Sequence, residues 1–339
     1  MLPGDARPRP LTLSVVIPAY NRATLIGETL DRVLAQTRPA AEVIVVDDGS
    51  TDATPAVLAG YGDRLRVIRI VNAGDLVARN VGLAAARGDL VAFCDSDDLW
   101  EPDFLAVMAG FWDTGAGPRA AYANFREVRD GAWAAAAKFD AAPAGFWSAL
   151  ERIDDARARI ARPMVRELLA FQPFFPSCMV VDRQAFGALG GWDTGVGVGR
   201  DFATALRVVE HPPVGVLWRP VVGIRKHGGN ISGDVQRMNL NDAEVLSHVL
   251  ATRPTLGAYA ADIRRSIAAR RAAAFDTAFA RGDFAAAAHI AAMLPEPPAG
   301  MRPRLKRAVI RLPAPLRRAA WRALTGGRRG AGGATAMRA

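Results

Sequence analysis

Cysteine is nearly absent from this chain of 339 residues, which contains only Cys94 and Cys178. Two widely separated cysteines give neither a paired metal-binding spacing nor a disulfide framework, so a zinc module and a disulfide-rich fold are not expected. We interpret both as small buried apolar residues. This fits a reducing cytoplasm, which is the predicted location.

Long apolar runs are also missing. No stretch reaches the roughly 18 apolar residues that a membrane-spanning helix needs. Residues 1–11, MLPGDARPRPL, lack the apolar region of a signal peptide. We therefore expect neither an integral membrane protein nor a cleaved leader.

Acidic residues stop at Glu296. Residues 302–339 hold eleven Lys or Arg, whereas residues 1–301 hold 32 basic and 34 acidic side chains, so that part has a net charge of −2. The overall charge of +9 therefore belongs to the tail. Because the body is slightly acidic, nucleic acid is not an expected partner.

The basic tail supports two interpretations. Leu305, Val309 and Leu312 recur at helical spacing, and so do Leu316, Ala320 and Leu324. A basic amphipathic segment of this kind suits the anionic lipid heads at the inner face of a membrane. A solvated, partly disordered tail is the alternative.

Through the first hundred residues, short apolar runs alternate with segments of helical periodicity. The predicted strands are 12–18, 42–48, 65–71 and 90–95. The predicted helices are 23–36, 52–60 and 75–87. This alternation predicts an α/β fold with a mostly parallel sheet, in which ligands bind at the carboxyl ends of the strands.

Later segments are less regular. We predict helix over 147–170 and strands at 177–182 and 214–227. Helical patterns follow Asp201 and dominate after residue 235, with a break at 281–283. The expected domains are a catalytic domain (11–232), a helical extension (233–296) and a basic tail (297–339).

Polar clusters follow three of the apolar runs: AYN (19–21), DDGSTD (47–52) and DSDD (95–98). Three carboxylates within DSDD would repel one another unless a cation lies among them, and a hard divalent ion bound to diphosphate would meet that need. A helix cap followed by a solvated turn is the alternative. DDGSTD is equally compatible with a capped turn.

Two further residues are candidates for chemistry. Asp201 follows the glycine-rich segment 187–201, so a carboxylate at a helix start could act as a general base. An ordinary helix cap is the alternative. His227, in the segment KHGGN, is either a ligand or a common loop residue.

Four segments, in this order and spacing, resemble glycosyltransferase family 2: VVIPAYN (15–21), VIVVDDGSTD (43–52), ARNVG (78–82) and DSDDLW (95–100). The resemblance covers residues 11–105 closely and 175–232 more loosely. It implies the GT-A fold, a Rossmann-like mostly parallel sheet flanked by helices, here with a C-terminal helical extension.

The resemblance also implies roles for individual residues. On the donor side, Asp48 would recognise the nucleotide base, and Arg79 would lie near the sugar-nucleotide. The base would be lined by Pro18, Ala19 and Tyr20. Asp95 and Asp97 would form the DxD pair, with Asp97 the direct metal ligand. The late loop that closes on the diphosphate, and contributes to the metal site, would contain His227, Asn230 and Ser232.

On the acceptor side, Trp192 and Asp193 resemble the acceptor loop, and Asp201 resembles the catalytic base. The family usually places Glu before this base, and Arg200 stands there instead. A cation beside Asp201 would lower the pKa of that carboxyl and weaken it as a base.

The resemblance implies inverting transfer from a nucleotide-diphosphate sugar, with a bias toward UDP, assisted by Mn²⁺ or Mg²⁺. Because no membrane spans are expected, the transfer is expected to be non-processive. The acceptor would be a hydroxyl of a glycan, a lipid-linked molecule or another compound in cell-envelope polysaccharide synthesis. A sugar nucleotidyltransferase is the alternative enzyme, although the loop AYNRAT lacks the glycines typical of one. A basic membrane- or nucleic-acid-binding protein with a degenerate transferase domain is the other alternative.

Overall fold

A computed structural model describes residues 10–113, 117–195, 201–228, 234–294 and 300–325. The chain divides into two compact units, Met1–Asn230 and Ile231–Ala339. The strands are β1 (Leu13–Ala19), β2 (Glu42–Asp47), β3 (Arg66–Arg69), β4 (Leu90–Phe93), β5 (Leu99–Trp100), β6 (Ala120–Arg129), β7 (Ala132–Ala137), β8 (Leu150–Arg152), β9 (Arg157–Ile160), β10 (Met179–Asp182) and β11 (Val214–Lys226). The helices of the first unit are α1 (Ile26–Leu34), α2 (Thr54–Ala59), α3 (Asp75–Ala85), α4 (Phe104–Ala109), α5 (Ala144–Ser148), α6 (Val165–Ala170), α7 (Arg183–Ala188) and α8 (Asp201–Glu210).

The sheet of the first unit has the strand order β3-β2-β1-β4-β10-β6-β11-β9-β8 across the described residues. Strands β3, β2, β1 and β4 are parallel, and β10 lies antiparallel between β4 and β6. Every residue of β1 and β4 is buried, which explains why these strands are almost entirely apolar in sequence. The predicted α/β fold with a mostly parallel central sheet is confirmed.

The prediction of helix over 147–170 is wrong for most of that segment. Only its two ends are helical, as the close of α5 and as α6, and β8 and β9 lie between them. Asp154 forms the turn by accepting from the backbone N–H groups of Ala156 and Arg157, at 2.9 and 2.8 Å. Ala158 and Ile160 are buried where β9 pairs with β11. Strand pairing with a distant segment therefore overrides the local pattern.

The second unit consists of helices. They are α9 (Val235–Thr252), α10 (Ala260–Arg281), α11 (Phe284–Ala292), α12 (Met301–Arg311) and α13 (Ala314–Thr325). The break predicted at 281–283 separates α10 from α11, where Gly282 adopts φ +74° and Asp283 accepts from the N–H of Ala286. Residues 295–299, where the helical extension meets the tail, and residues 326–339 lie outside the described residues.

The apolar residues of the tail do not all lie on one face of a helix. Val309 and Ile310 are buried with Phe275 and Phe279 in the core of the second unit. Leu305, which the helical spacing grouped with Val309, is 41% exposed. Among the described residues, none of the helices is both long and apolar enough to cross a bilayer.

Candidate active site

The loops that follow β1 and β2 are joined by hydrogen bonds. Asn21 adopts φ +52°, and its Oδ1 accepts from the backbone N–H of Thr51 at 2.8 Å. The N–H of Asn21 donates to Ser50 Oγ at 3.0 Å, and the N–H of Asp48 donates to Ala19 O at 2.8 Å. The AYN and DDGSTD segments therefore form one connected rim at the carboxyl ends of adjacent strands.

The residues predicted to line the base differ in exposure. Pro18 and Ala19 are buried in β1 and pair with β2. Tyr20 is 44% exposed directly after the strand. Of the three, Tyr20 is the one whose ring is available to a ligand.

Asp48 has a structural partner for each oxygen. Oδ1 accepts from the N–H of Ala73 at 2.7 Å, and Oδ2 accepts from the N–H of Gly74 at 2.9 Å. The side chain is buried, and it fixes the segment that leads into α3. A role in reading the base would have to use the remaining lone pairs of these oxygens.

The three carboxylates of DSDD do not surround one point. Asp98 turns into the core, where Oδ2 accepts from Ser177 Oγ and Oδ1 accepts from the N–H of Arg225 at 3.0 Å. Burial raises the pKa of Asp98 well above its ordinary value, and Asp97 and Asp95 add to that effect. The expectation of three carboxylates around one cation is thus corrected to a pair, Asp95 and Asp97.

Asp95 lies against Arg79. The guanidinium of Arg79 is almost fully buried and donates to Asp95 Oδ1 and to Asp75 Oδ2. Burial opposes the charge of Arg79, but Asp95 and Asp75 outweigh it and raise the pKa of the guanidinium. Arg79 therefore remains charged beside Asp95.

Asp97 meets two side chains from other segments. His227, just after β11, places Nε2 2.9 Å from Asp97 Oδ2, and Arg22, from the loop after β1, places Nε 3.7 Å from the same oxygen. A carboxylate oxygen and an imidazole nitrogen are ligand types that Mn²⁺ accepts. Among the described residues no group of three His, Cys, Asp or Glu is suited to hold a metal. The donor set fits an ion that a diphosphate helps to coordinate.

Trp192 does not face solvent. Its indole is buried, lies 4.9 Å from the Phe93 ring at near right angles, and has the Arg79 guanidinium 5.1 Å above it. Asn80 fixes the backbone of Trp192 by accepting from its N–H at 2.8 Å and donating to its carbonyl at 2.9 Å. The indole therefore packs against Arg79 and is not available to an acceptor. Only the neighbouring backbone could contact an acceptor here.

Asp193 lies within the glycine-rich segment 187–201, and Asp201 is its last residue. The N–H of Asp193 donates to Thr204 Oγ1 at 3.0 Å, and its Oδ1 accepts from the N–H of Gly195 at 3.1 Å. Asp201 begins α8, and its charge, after burial, contributes to raising the pKa of the Tyr122 phenol. Residues 196–200, including Arg200, lie outside the described residues, as do Asn230 and Ser232.

Three residues that the sequence analysis left without a role belong to this site: Arg22, Asn80 and Ser177. Arg22 and Asn80 stand inside the segments AYNRAT and ARNVG, so their motif positions could have flagged them. Ser177 is fully buried, donates to Asp98 and accepts from the N–H of Asp95 at 2.9 Å. No local pattern distinguishes this serine.

The order of the sheet and the polar loops at its carboxyl edge define an α/β domain of the GT-A class. Residues 14–139 match the model of the family described as Glycosyl transferase family 2.

Curated relatives match about a third of this chain. The Bacillus subtilis protein named "Putative teichuronic acid biosynthesis glycosyltransferase TuaG" is 45% identical over 103 residues, which cover 29% of this chain and 41% of that protein. The Rhizobium meliloti "Succinoglycan biosynthesis protein ExoO" is 44% identical over 118 residues, 34% of each chain. The chain thus spans less than half the length of these relatives.

Solved structures share the fold over nearly the whole chain. S. aureus TarS 1-349 in complex with UDP-GlcNAc has a TM-score of 0.60 at 18% identity, covering 94% of this chain and 91% of TarS. The Pyrobaculum calidifontis mannosyltransferase PcManGT, with GDP-Man and Mn²⁺, has a TM-score of 0.52 at 22% identity, covering 94% and 86%. At these identities the likeness shows the GT-A fold alone.

Proposed function

We propose that this chain transfers a sugar from a nucleotide-diphosphate donor to a hydroxyl acceptor, with inversion and without processivity. The observation that carries the proposal is the convergence on Asp97 of Arg22 from the loop after β1 and His227 from the end of β11. A carboxylate and an imidazole that meet beside an arginine at this edge of the sheet suit a site for a metal and a diphosphate.

The donor would occupy the rim formed by the AYN and DDGSTD segments. Tyr20 offers an exposed ring beside the base, while Asp48 holds the segment that leads to Arg79. Arg79 would place a charged group near the diphosphate sugar. A UDP-sugar agrees with the family resemblance and with the UDP-GlcNAc bound by TarS, and a GDP-sugar agrees with PcManGT.

Asp97 and His227 are the residues that would hold a divalent ion, Mn²⁺ or Mg²⁺, with Asp95 beside them. Such an ion stabilises the negative charge that develops on a departing nucleoside diphosphate. The Mn²⁺ bound by PcManGT supports this choice.

Asp201 would act as the general base. As the acceptor oxygen attacks the anomeric carbon from the side opposite the diphosphate, its proton passes to the Asp201 carboxylate. The bond to the diphosphate breaks in the same step, so the configuration inverts. The position of Asp201 at the start of α8, directly after the glycine-rich segment, supports this assignment.

The acceptor would be a hydroxyl of a glycan or a lipid-linked intermediate in cell-envelope polysaccharide synthesis, as the names of TuaG and ExoO suggest. A cytoplasmic location is part of the same proposal, so that the glycosidic bond forms before the product is exported. The segment 190–195, held to α3 by Asn80, is the proposed acceptor loop.

A thermal-shift screen of the full chain against UDP- and GDP-sugars, each with and without Mn²⁺, tests the donor and metal assignments. A ligand that binds the native state raises Tm according to its concentration relative to Kd. We expect one nucleotide class to stabilise the chain, and more strongly with Mn²⁺. Absence of a shift with every nucleotide-sugar would contradict the proposal.

A further inference from the structure

The helices α12 and α13, called here the tail helices, divide their apolar side chains into two sets. Val309 and Ile310 are buried in the core of the second unit, and Trp321 packs there with its Nε1–H donating to Phe279 O at 2.7 Å. Four large apolar side chains are exposed instead: Met301 (77%), Leu305 (41%), Leu316 (59%) and Leu324 (45%). The fold anchors the tail helices with the first set and leaves the second set in solvent.

The tail helices carry charge of one sign. Residues 300–325 contain eight Lys or Arg and no Asp or Glu. Lys306 pairs with Asp276 at 2.8 Å, and Arg317 lies 4.8 Å above the Phe284 ring, so these two cations serve the fold. Five others are exposed and form no ion pair within the described part of the chain: Arg302, Arg304, Arg311, Arg318 and Arg322.

In α12 the exposed apolar residues form one face of the helix, and exposed arginines lie along its borders. Met301 and Leu305 are four residues apart and therefore lie along one face. Arg304 and Arg311, seven residues apart, share one border of that face, and Arg302 lies at the other. Long cationic side chains at the rim of an apolar strip can reach lipid phosphates while their stems and the strip contact acyl chains.

We propose that the tail helices dock this protein on the surface of an anionic lipid bilayer. Each exposed arginine near such a surface adds electrostatic attraction, and each exposed Met or Leu adds apolar burial at the headgroup boundary. A nucleic acid would match the positive charge but would leave Met301 and Leu305 without a partner. The proposal goes beyond sugar transfer and does not depend on it.

Truncation is a poor test of this surface. A chain that ends before Met301 also loses Val309, Ile310 and Trp321 from the core of the second unit. Loss of binding would then be confounded with loss of the fold. Substitutions of exposed side chains avoid this problem, because exposed positions contribute little to stability.

The test is sedimentation of the full chain with vesicles, either of phosphatidylcholine alone or of an equal mixture of phosphatidylcholine and phosphatidylglycerol. We expect binding to the mixed vesicles only, and weaker binding as salt screens the charges. The double variant Arg304→Gln, Arg311→Gln should bind about 30-fold more weakly. Leu305→Ser should weaken binding on the order of tenfold.

A matched control removes two exposed arginines of the same unit outside the tail, Arg237→Gln with Arg264→Gln. This variant should bind like the wild type, and all variants should keep the wild-type Tm. Equal binding of the control and of the Arg304/Arg311 variant would overturn the proposal. So would tail-dependent binding to duplex DNA in a protein that does not sediment with the mixed vesicles.

Discussion

Ser177 and Asp98 are 79 residues apart in the chain, and the Ser177 hydroxyl donates to Asp98 Oδ2 at 2.5 Å. The same Oγ accepts from the N–H of Asp95 at 2.9 Å, and the Ser177 carbonyl accepts from Trp100 Nε1–H at 2.8 Å. One buried serine therefore fixes both ends of the DSDD segment. The direction in which Asp97 points depends on these contacts.

Replacing Ser177 with Ala should both destabilise the fold and weaken the donor site. The change leaves a buried oxygen of Asp98 and the N–H of Asp95 without their partner, at a cost of about 1–3 kcal/mol. Thermal unfolding measures the first effect, and titration with UDP or GDP in Mn²⁺ measures the second. We expect the metal-dependent part of nucleotide affinity to fall.

Ser14 supplies the matched control for that experiment. It is equally buried, its Oγ donates to Glu42 Oε1 at 2.7 Å, and it accepts from the N–H of Gly88 at 2.8 Å, in β1 but far along the strand from the DSDD loop. Ser14→Ala should lower Tm similarly without changing nucleotide affinity. If both variants changed affinity alike, the effect would be general instability.

Asp97→Asn tests the metal site directly. The amide keeps the shape of the side chain but loses the negative charge that attracts a divalent ion and pairs with His227. We expect Mn²⁺ to stop increasing nucleotide affinity, with turnover lost and Tm retained. Asp103→Asn, which changes an exposed carboxylate paired with Arg219, is the control and should leave metal dependence intact. Unchanged metal dependence in Asp97→Asn would remove this residue from the site.

The variant Asp201→Asn tests whether Asp201 is the general base. The amide can still stand at the start of α8 but cannot take a proton from the acceptor. Loss of general-base catalysis should lower kcat by about 10²–10⁴-fold with donor affinity nearly unchanged. Asp193→Asn, within the same glycine-rich segment, should have a smaller effect on kcat. A reversed order of the two variants would transfer the role of base to Asp193.

The sequence predicts the elements that are buried on both faces better than those that depend on distant pairing. Strands β1 and β4 are almost entirely apolar because helices and neighbouring strands exclude water from every residue. Strand β9 is not predicted, because its alternating Arg and apolar residues become a strand only when β11 pairs with them. The mixed charges of that segment also suit a helix.

The same distinction applies to the site. The positions of Asp95 and Asp97 at the end of a strand follow from the local pattern. The inward direction of Asp98 does not, since it depends on Ser177 and on the backbone of Arg225, 127 residues away. The burial of Trp192 under Arg79 likewise depends on a contact that spans the domain.

Gly82, the final residue of the ARNVG segment, lies where α3 packs closely against β1. A Cβ at this position would lie 2.3 Å from Cγ1 of Val16, which is fully buried in β1. Ala has the higher helix propensity, but the overlap forces α3 away from the sheet at a cost of about 1–3 kcal/mol. Gly82→Ala should therefore lower Tm and, by moving Arg79 relative to Asp95, weaken donor binding.

Two further variants separate the overlap from a general effect of the substitution. Gly187, in α7, has open space where a Cβ would lie, so Gly187→Ala should keep or raise Tm. Adding Val16→Ala to Gly82→Ala removes the methyl groups that collide, so the double variant should be less destabilised than the sum of the single changes. Strictly additive losses of stability would show that α3 does not contact β1 through Gly82. Donor binding in the double variant would show whether the position of Arg79 depends on the overlap.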